Sequence, residues 1–93
     1  MKLMEQRMVD LAFAGGSACN VKVSRDGEGR WSFTFDLPHP DTQEVQTFAM
    51  SPKRGRARRT WRDPRVLFAY LSERYGVSEG TYVLEEAPSD EDQ

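Results

Sequence analysis

Between Val21 and Leu37 apolar side chains recur at every second position. Val21 and Val23 alternate with Lys22 and Ser24, and Trp31, Phe33, Phe35 and Leu37 alternate with Ser32, Thr34 and Asp36. A period of two puts successive side chains on opposite faces of a strand, so each run predicts a strand with one apolar face. Arg25-Asp26-Gly27-Glu28-Gly29 lies between them and supplies turn residues, which makes the pair a hairpin. Pro38-His39-Pro40-Asp41 then interrupts the ladder, because proline has no N–H to donate. Glu44 to Met50 resumes with the β-prone Val45, Thr47 and Phe48 and predicts a third antiparallel strand.

Helical spacing takes over after Asp63-Pro64. Asp63 can cap free backbone N–H groups, and Pro64 suits a first helical position, where no donor is needed. Leu67, Tyr70, Leu71 and Arg74 share one stripe, with Phe68 and Tyr75 on its shoulder, and Gly76 is placed to end the helix. The expected helix is Pro64–Tyr75. Tyr82, Val83 and Leu84 predict a short final strand.

Met1 to Ala14 supports two readings. Met4, Met8, Leu11 and Ala12 fall at helical spacing ahead of Gly15, whereas Val9, Leu11 and Phe13 alternate as a strand would. Lys2 to Met8 are good helix formers, which favours the helix. Its stripe of Met4, Met8 and Leu11 would then cover part of the sheet.

The expected fold is α+β. An antiparallel meander of three or four strands carries the Pro64–Tyr75 helix on Trp31, Phe33 and Phe35, with an N-terminal helix as the favoured addition. Residues 1–84 form one small domain, since 93 residues suffice for one modest core. Residues 85–93 form an acidic tail whose composition predicts disorder, because it offers almost no apolar surface to bury. No apolar run is long enough to span a bilayer, and the start of the chain is too charged for a secretory leader. The expected compartment is the cytoplasm.

Charge changes this picture more than composition does. The chain carries 13 basic and 15 acidic residues for a formal charge of −2. That total conceals segregation: residues 1–50 sum to −2, residues 51–75 to +6, and residues 76–93 to −6. In the basic block arginine outnumbers lysine seven to one. Its planar fork suits carboxylates, phosphates and base edges, where lysine acts as a point charge. The candidate binding residues are therefore Lys53, Arg54, Arg56, Arg58, Arg59, Trp61, Arg62 and Arg65. Ser51–Thr60 has almost no apolar content and reads as a loop or an exposed edge strand.

Ingredients for catalysis are sparse. His39 is the only histidine and Cys19 the only cysteine, so neither a closed zinc site nor a disulfide framework can be built from them. A Cys19–His39 dyad is weaker than the plain reading of Cys19 as a small buried residue and His39 as a turn residue. The glycine pairs are too short for phosphate loops, and the acidic tail lacks the ligand pattern of a calcium loop. No enzyme, metal or cofactor is expected.

Two aromatic features have alternatives. Trp31, Phe33 and Phe35 could stack unpaired bases, but the domain needs them as its core. Trp61, between Arg59 and Arg62, is either an interface anchor or a residue turned inward to seal the start of the helix, and the inward reading is favoured.

The stretch Lys53-Arg54-Gly55-Arg56-Ala57-Arg58-Arg59-Thr60-Trp61 and the helix after it resemble a pattern in small plasmid-borne accessory proteins of the partition-associated type. The matching positions are Arg54-Gly55, Arg59-Thr60-Trp61, Leu67, Leu71 and Gly76-Val77, about a quarter of the chain. The resemblance implies a mobile-element accessory protein and not an enzyme.

Two functions follow as expectations. One is a protein-binding inhibitor or adaptor, directed at a host defence or nucleic-acid-processing complex and docking its arginines on an acidic partner surface. The other is a nucleic-acid-binding accessory protein that lays the same arginines along phosphates, with salt-sensitive and weakly specific affinity. The negative total favours the first, since a dedicated DNA binder is usually basic overall. A homodimer through an edge strand is compatible with the sequence but not required by it.

Overall fold

In a computed structural model, residues 2–52 and 57–83 are described. The elements are β1 (Lys2–Glu5), α1 (Gln6–Ala14), β2 (Cys19–Arg25), β3 (Trp31–Pro38), β4 (Val45–Ser51), α2 (Pro64–Tyr75) and β5 (Thr81–Val83). They build a five-stranded sheet in the order β1-β4-β3-β2-β5.

The middle of the sheet is the meander that alternation predicts. β2 pairs antiparallel with β3, setting Val23 opposite Phe33, and β3 pairs antiparallel with β4, setting Phe35 opposite Phe48. The β2–β3 turn is closed by the Asp26 carboxylate, which accepts from the backbone N–H groups of Glu28 (2.8 Å) and Arg30 (2.9 Å). Those bonds, Arg30's first, hold the Asp26 carboxyl below the usual carboxylate range.

Both edges depart from the expectation of a purely antiparallel sheet of three or four strands. β1 pairs parallel with β4, and β5 pairs parallel with β2, so the sheet is mixed. Lys2–Glu5 has good helix formers, but pairing with the free edge of β4 outweighs local propensity there. The N-terminal segment is thus a strand followed by a helix.

That division also changes which side of α1 is buried. Val9 is fully buried, with Ala12 and Phe13 partly buried, at the i, i+3, i+4 spacing of one face. Met8 and Leu11 of the expected stripe are 52% and 62% exposed. Counting from Met4 set the wrong phase, because Met4 belongs to a strand. Met8 and Leu11 instead border an open apolar groove of about 480 Å³ with Leu37, Pro38 and Pro40.

Helix α2 has the predicted bounds. The Asp63 side chain accepts from the Arg65 backbone N–H, Pro64 occupies the first turn, and Gly76 closes the helix in the left-handed region at φ 69°. Gly76 and Val77 return their N–H groups to the last turn of the helix, Val77 to Leu71 O at 3.1 Å.

One face of the sheet holds the core. Val21, Val23, Trp31, Phe33, Phe35 and Met50 join Val9 from α1 and Leu67 and Leu71 from α2 in one buried cluster. Both helices therefore cover the same face. The work is divided: Phe13 of α1 covers Phe35 at 5.1 Å between ring centres, while α2 packs toward Phe33 through Trp61 and Tyr70. With Trp31, Phe33 and Phe35 at 9%, 1% and 0% exposure, the aromatic face is closed to stacking bases.

Cys19, expected to be buried, is exposed at the start of β2, where its thiol faces the Asp36 carbonyl at 3.7 Å. His39 lies in the β3–β4 turn, its Nδ1 accepting from the Asp41 backbone N–H. Among the described residues no helix is long and apolar enough to cross a membrane, and no group of three or more His, Cys, Asp and Glu could hold a metal. The acidic tail expected to be disordered lies outside the described residues.

Candidate interaction surface

The segment after β4 is fixed to the sheet by its backbone. The Arg59 N–H donates to the Met50 carbonyl at 2.7 Å, and Trp61 and Trp31 exchange two backbone hydrogen bonds of 2.7 Å each. This isolated antiparallel bridge makes residues 59–61 an extended strip beside the first residue of β3. Of the expected binding residues, Arg58, Arg59, Trp61 and Arg62 fall on or beside this strip. Lys53, Arg54 and Arg56 lie outside the described residues.

An extended backbone alternates its side chains, and Trp61 takes the inward side. At 7% exposure it packs against Phe33 (ring centres 6.0 Å apart) and Tyr70 (5.3 Å). The Trp61 indole is a core element and not an exposed anchor. Its effect on the surface is indirect, through Arg59.

Arg59 is the best-positioned cation of the strip. Its guanidinium carbon lies 4.6 Å from the centre of the Trp61 ring and 5.2 Å from that of Tyr70. Attraction to the ring faces holds the flat guanidinium while leaving its N–H edge available to an anion. Among the described residues it meets no carboxylate. Tyr70 is itself held from beneath by its hydroxyl, 3.7 Å from the Met50 sulfur.

The neighbouring arginines differ in how far they are engaged. Arg58 Nη1 donates to the Oγ of Ser32, a buried hydroxyl, at 3.1 Å. Arg62 is exposed directly after Trp61. Arg65 donates from Nε (3.2 Å) and Nη2 (3.0 Å) to the Asp63 carboxylate, so the helix cap occupies its fork. That pair lies in water, with the Arg65 side chain 88% exposed, and is easily exchanged for another anion. Arg74 of the basic block is bound to Asp10, and its guanidinium carbon lies 5.7 Å from the centre of the Tyr70 ring that Arg59 also meets.

The fold adds two arginines that the sequence reading did not select. Arg25 pairs across the sheet with Trp31 and holds its guanidinium carbon 6.0 Å from that ring centre. Arg30 immediately precedes Trp31, and Arg62 immediately follows Trp61, so in the antiparallel bridge they flank it from opposite strands. Like charges set across a ladder repel. The Asp26 carboxylate attracts Arg30 and Arg58 and offsets part of that repulsion, and an anion on the strip would offset more. Arg25, expected in the hairpin turn, is the last residue of β2 and pairs with Trp31, and the strip returns beside the same tryptophan.

Comparison with protein-family models, with curated protein sequences and with solved structures returns no match to this chain.

Proposed function

We propose that the chain is a non-enzymatic binding protein that docks on an acidic surface of a partner protein through Arg59 and Arg62, with Arg25, Arg30 and Arg58 around them. The observation that carries this reading is Arg59, set on two aromatic rings and meeting no carboxylate among the described residues. An arginine already ordered in the free protein loses little further freedom on binding, which is the property of an interface anchor. The reading is that of an inhibitor or adaptor, and the mobile-element accessory role implied by the Arg54-to-Val77 resemblance is part of the proposal. A protein target is favoured over nucleic acid by the formal charge of −2 and by the burial of the aromatic face.

The test compares the wild-type chain with Arg59→Gln/Arg62→Gln in binding to poly-L-glutamate and to a random duplex DNA at low salt. The proposal expects saturable poly-L-glutamate binding that the double variant loses. Equal binding by both proteins overturns the role of the strip. Tighter binding to DNA than to the acidic polypeptide overturns the choice of partner in favour of nucleic acid.

A further inference from the structure

Strand β1 is an outer strand of the sheet, so among the described residues one side of its backbone pairs with no other strand. Apolar side chains are exposed on both faces of that edge. Met4 lies opposite Met50 of the core, so by alternation Leu3 points to the sheet face away from the helices, where it is exposed. On the helix face Met8 and Leu11 are exposed along the groove they share with Met4 and Leu37. An open strand edge with apolar side chains on both faces is a template for a further strand.

The charges at the ends of β1 select the occupant. The strand begins with Lys2 and ends with Glu5, and both are exposed. A second β1 laid antiparallel against the first brings each Lys2 end to the other's Glu5 end. A two-fold axis perpendicular to the sheet matches residues of the same face, so it passes through Leu3 or through Met4. In the first register Lys2 lies opposite Met4 of the second copy, and in the second opposite Gln6, each an immediate neighbour of Glu5. Opposite charges thus meet at both ends of the pair. The other edge of the sheet fails this condition. β5 follows Glu79 and precedes Glu85 and Glu86 in sequence, so the same pairing there sets acid against acid.

Four residues of strand edge supply only part of the roughly 800 Å² per partner that a stable interface buries. The helices supply more. A two-fold of this kind keeps the helices of both copies on one side of the joined sheet, and α1 follows directly from β1. Met8 and Leu11 of the two copies then flank the axis.

We infer that the chain forms a two-fold dimer in which β1 pairs antiparallel with β1 of a second copy, and Met8 and Leu11 of the two α1 helices close over the axis. This accounts for the phase of α1, which leaves two large apolar residues outside the core of a single copy. It does not depend on the role of the arginine strip.

Sedimentation equilibrium on the full-length chain should give the mass of a dimer in the micromolar range, and a monomer mass throughout that range overturns the inference. Lys2→Glu should weaken the dimer about tenfold, because both symmetric contacts turn from attraction to repulsion, and Lys2→Glu/Glu5→Lys should restore it. Both positions are exposed, and circular dichroism establishes that the variants stay folded. A dimer indifferent to Lys2→Glu pairs through another surface, which also overturns the inference. In a Cys19→Ser background, mild oxidation should crosslink either Leu3→Cys or Met4→Cys into a covalent dimer, according to which residue lies on the axis. Crosslinking of neither excludes the β1 pairing.

Discussion

The Tyr75 hydroxyl donates to Asp10 Oδ1 at 2.6 Å, joining the last residue of α2 to the middle of α1. Arg74 completes the clasp from Nε at 3.0 Å and Nη2 at 2.8 Å. Behind it the Phe13 and Tyr75 rings stack at 4.3 Å. Helix α1 needs this support, for it has nine residues, no side-chain cap and no basic residue in its last turn.

The clasp gives stability a two-sided pH dependence. Arg74's hydrogen bonds, and then Tyr75's, hold the Asp10 carboxyl below its ordinary range. Its contribution is present above about pH 4 and is lost as pH falls through the lowered folded value. Burial, and then the bond to Asp10, push the Tyr75 phenol well above its ordinary range. That contribution is present below about pH 10 and is lost as pH rises. Tyr75→Phe should destabilise the protein by about 1 kcal/mol at pH 7, and its deficit against the wild type should shrink above pH 10. Urea titrations at pH 3, 7 and 11 check this, and a deficit that stays constant into alkali contradicts the clasp.

Trp61→Ala should cost about 3–5 kcal/mol of stability, a large share of what a domain of this size possesses. The residue sits between Phe33 and Tyr70 at 7% exposure, so removing it opens a cavity beneath Arg59. Urea unfolding measures the loss. A change below about 1 kcal/mol would place the indole outside the core.

How much of this was legible from the sequence depends on whether local signals agreed with tertiary pairing. Asp63, Pro64 and Gly76 each fix backbone conformation at their own position, so α2 could be read residue by residue. The hairpin was readable because Val23 and Phe33 alternate in step on both sides of a glycine turn. β1 was hidden because Lys2–Glu5 becomes a strand only through the distant edge of β4, and that error carried into the phase of α1 at Met8 and Leu11. In the candidate surface, the excess of arginine singled out Arg58, Arg59 and Arg62 directly. The convergence of Arg25 and Arg30 on them depends on the Trp31–Trp61 bridge, a contact between residues thirty apart that has no local signature.

Gly80→Ala should detach β5 without unfolding the rest. A Cβ at Gly80 would lie 2.6 Å from the Val21 carbonyl oxygen, a backbone atom that cannot move without disturbing β2. β5 is a three-residue edge strand, so the clash is relieved most cheaply by its departure. Amide exchange at residues 81–83 should quicken while the middle of α2 stays protected. Loss of the Tyr82 stack should also alter Trp31 fluorescence. Exchange that remains slow at 81–83 would show that β2 absorbs the methyl group.

The two central arginines of the strip should respond differently to replacement by lysine. Arg59 is held by its flat guanidinium against Trp61 and Tyr70, so Arg59→Lys keeps the charge but loses the ring-stacked geometry and the fixed fork. Arg62 is exposed, and no ring contact orders it among the described residues, so Arg62→Lys exchanges one mobile cation for another. The first substitution should weaken poly-L-glutamate binding by about 3- to 10-fold, corresponding to the roughly 0.5–1 kcal/mol of an exposed cation–π contact together with the lost bidentate contact. The second should change it less than about twofold, within the usual size of a surface charge-pair effect. Anisotropy titrations at a fixed low salt concentration make the comparison, and circular dichroism at the same temperature establishes that both variants remain folded. Equal losses at the two positions would mean that net charge alone governs binding and that the Trp61–Tyr70 platform has no part in it.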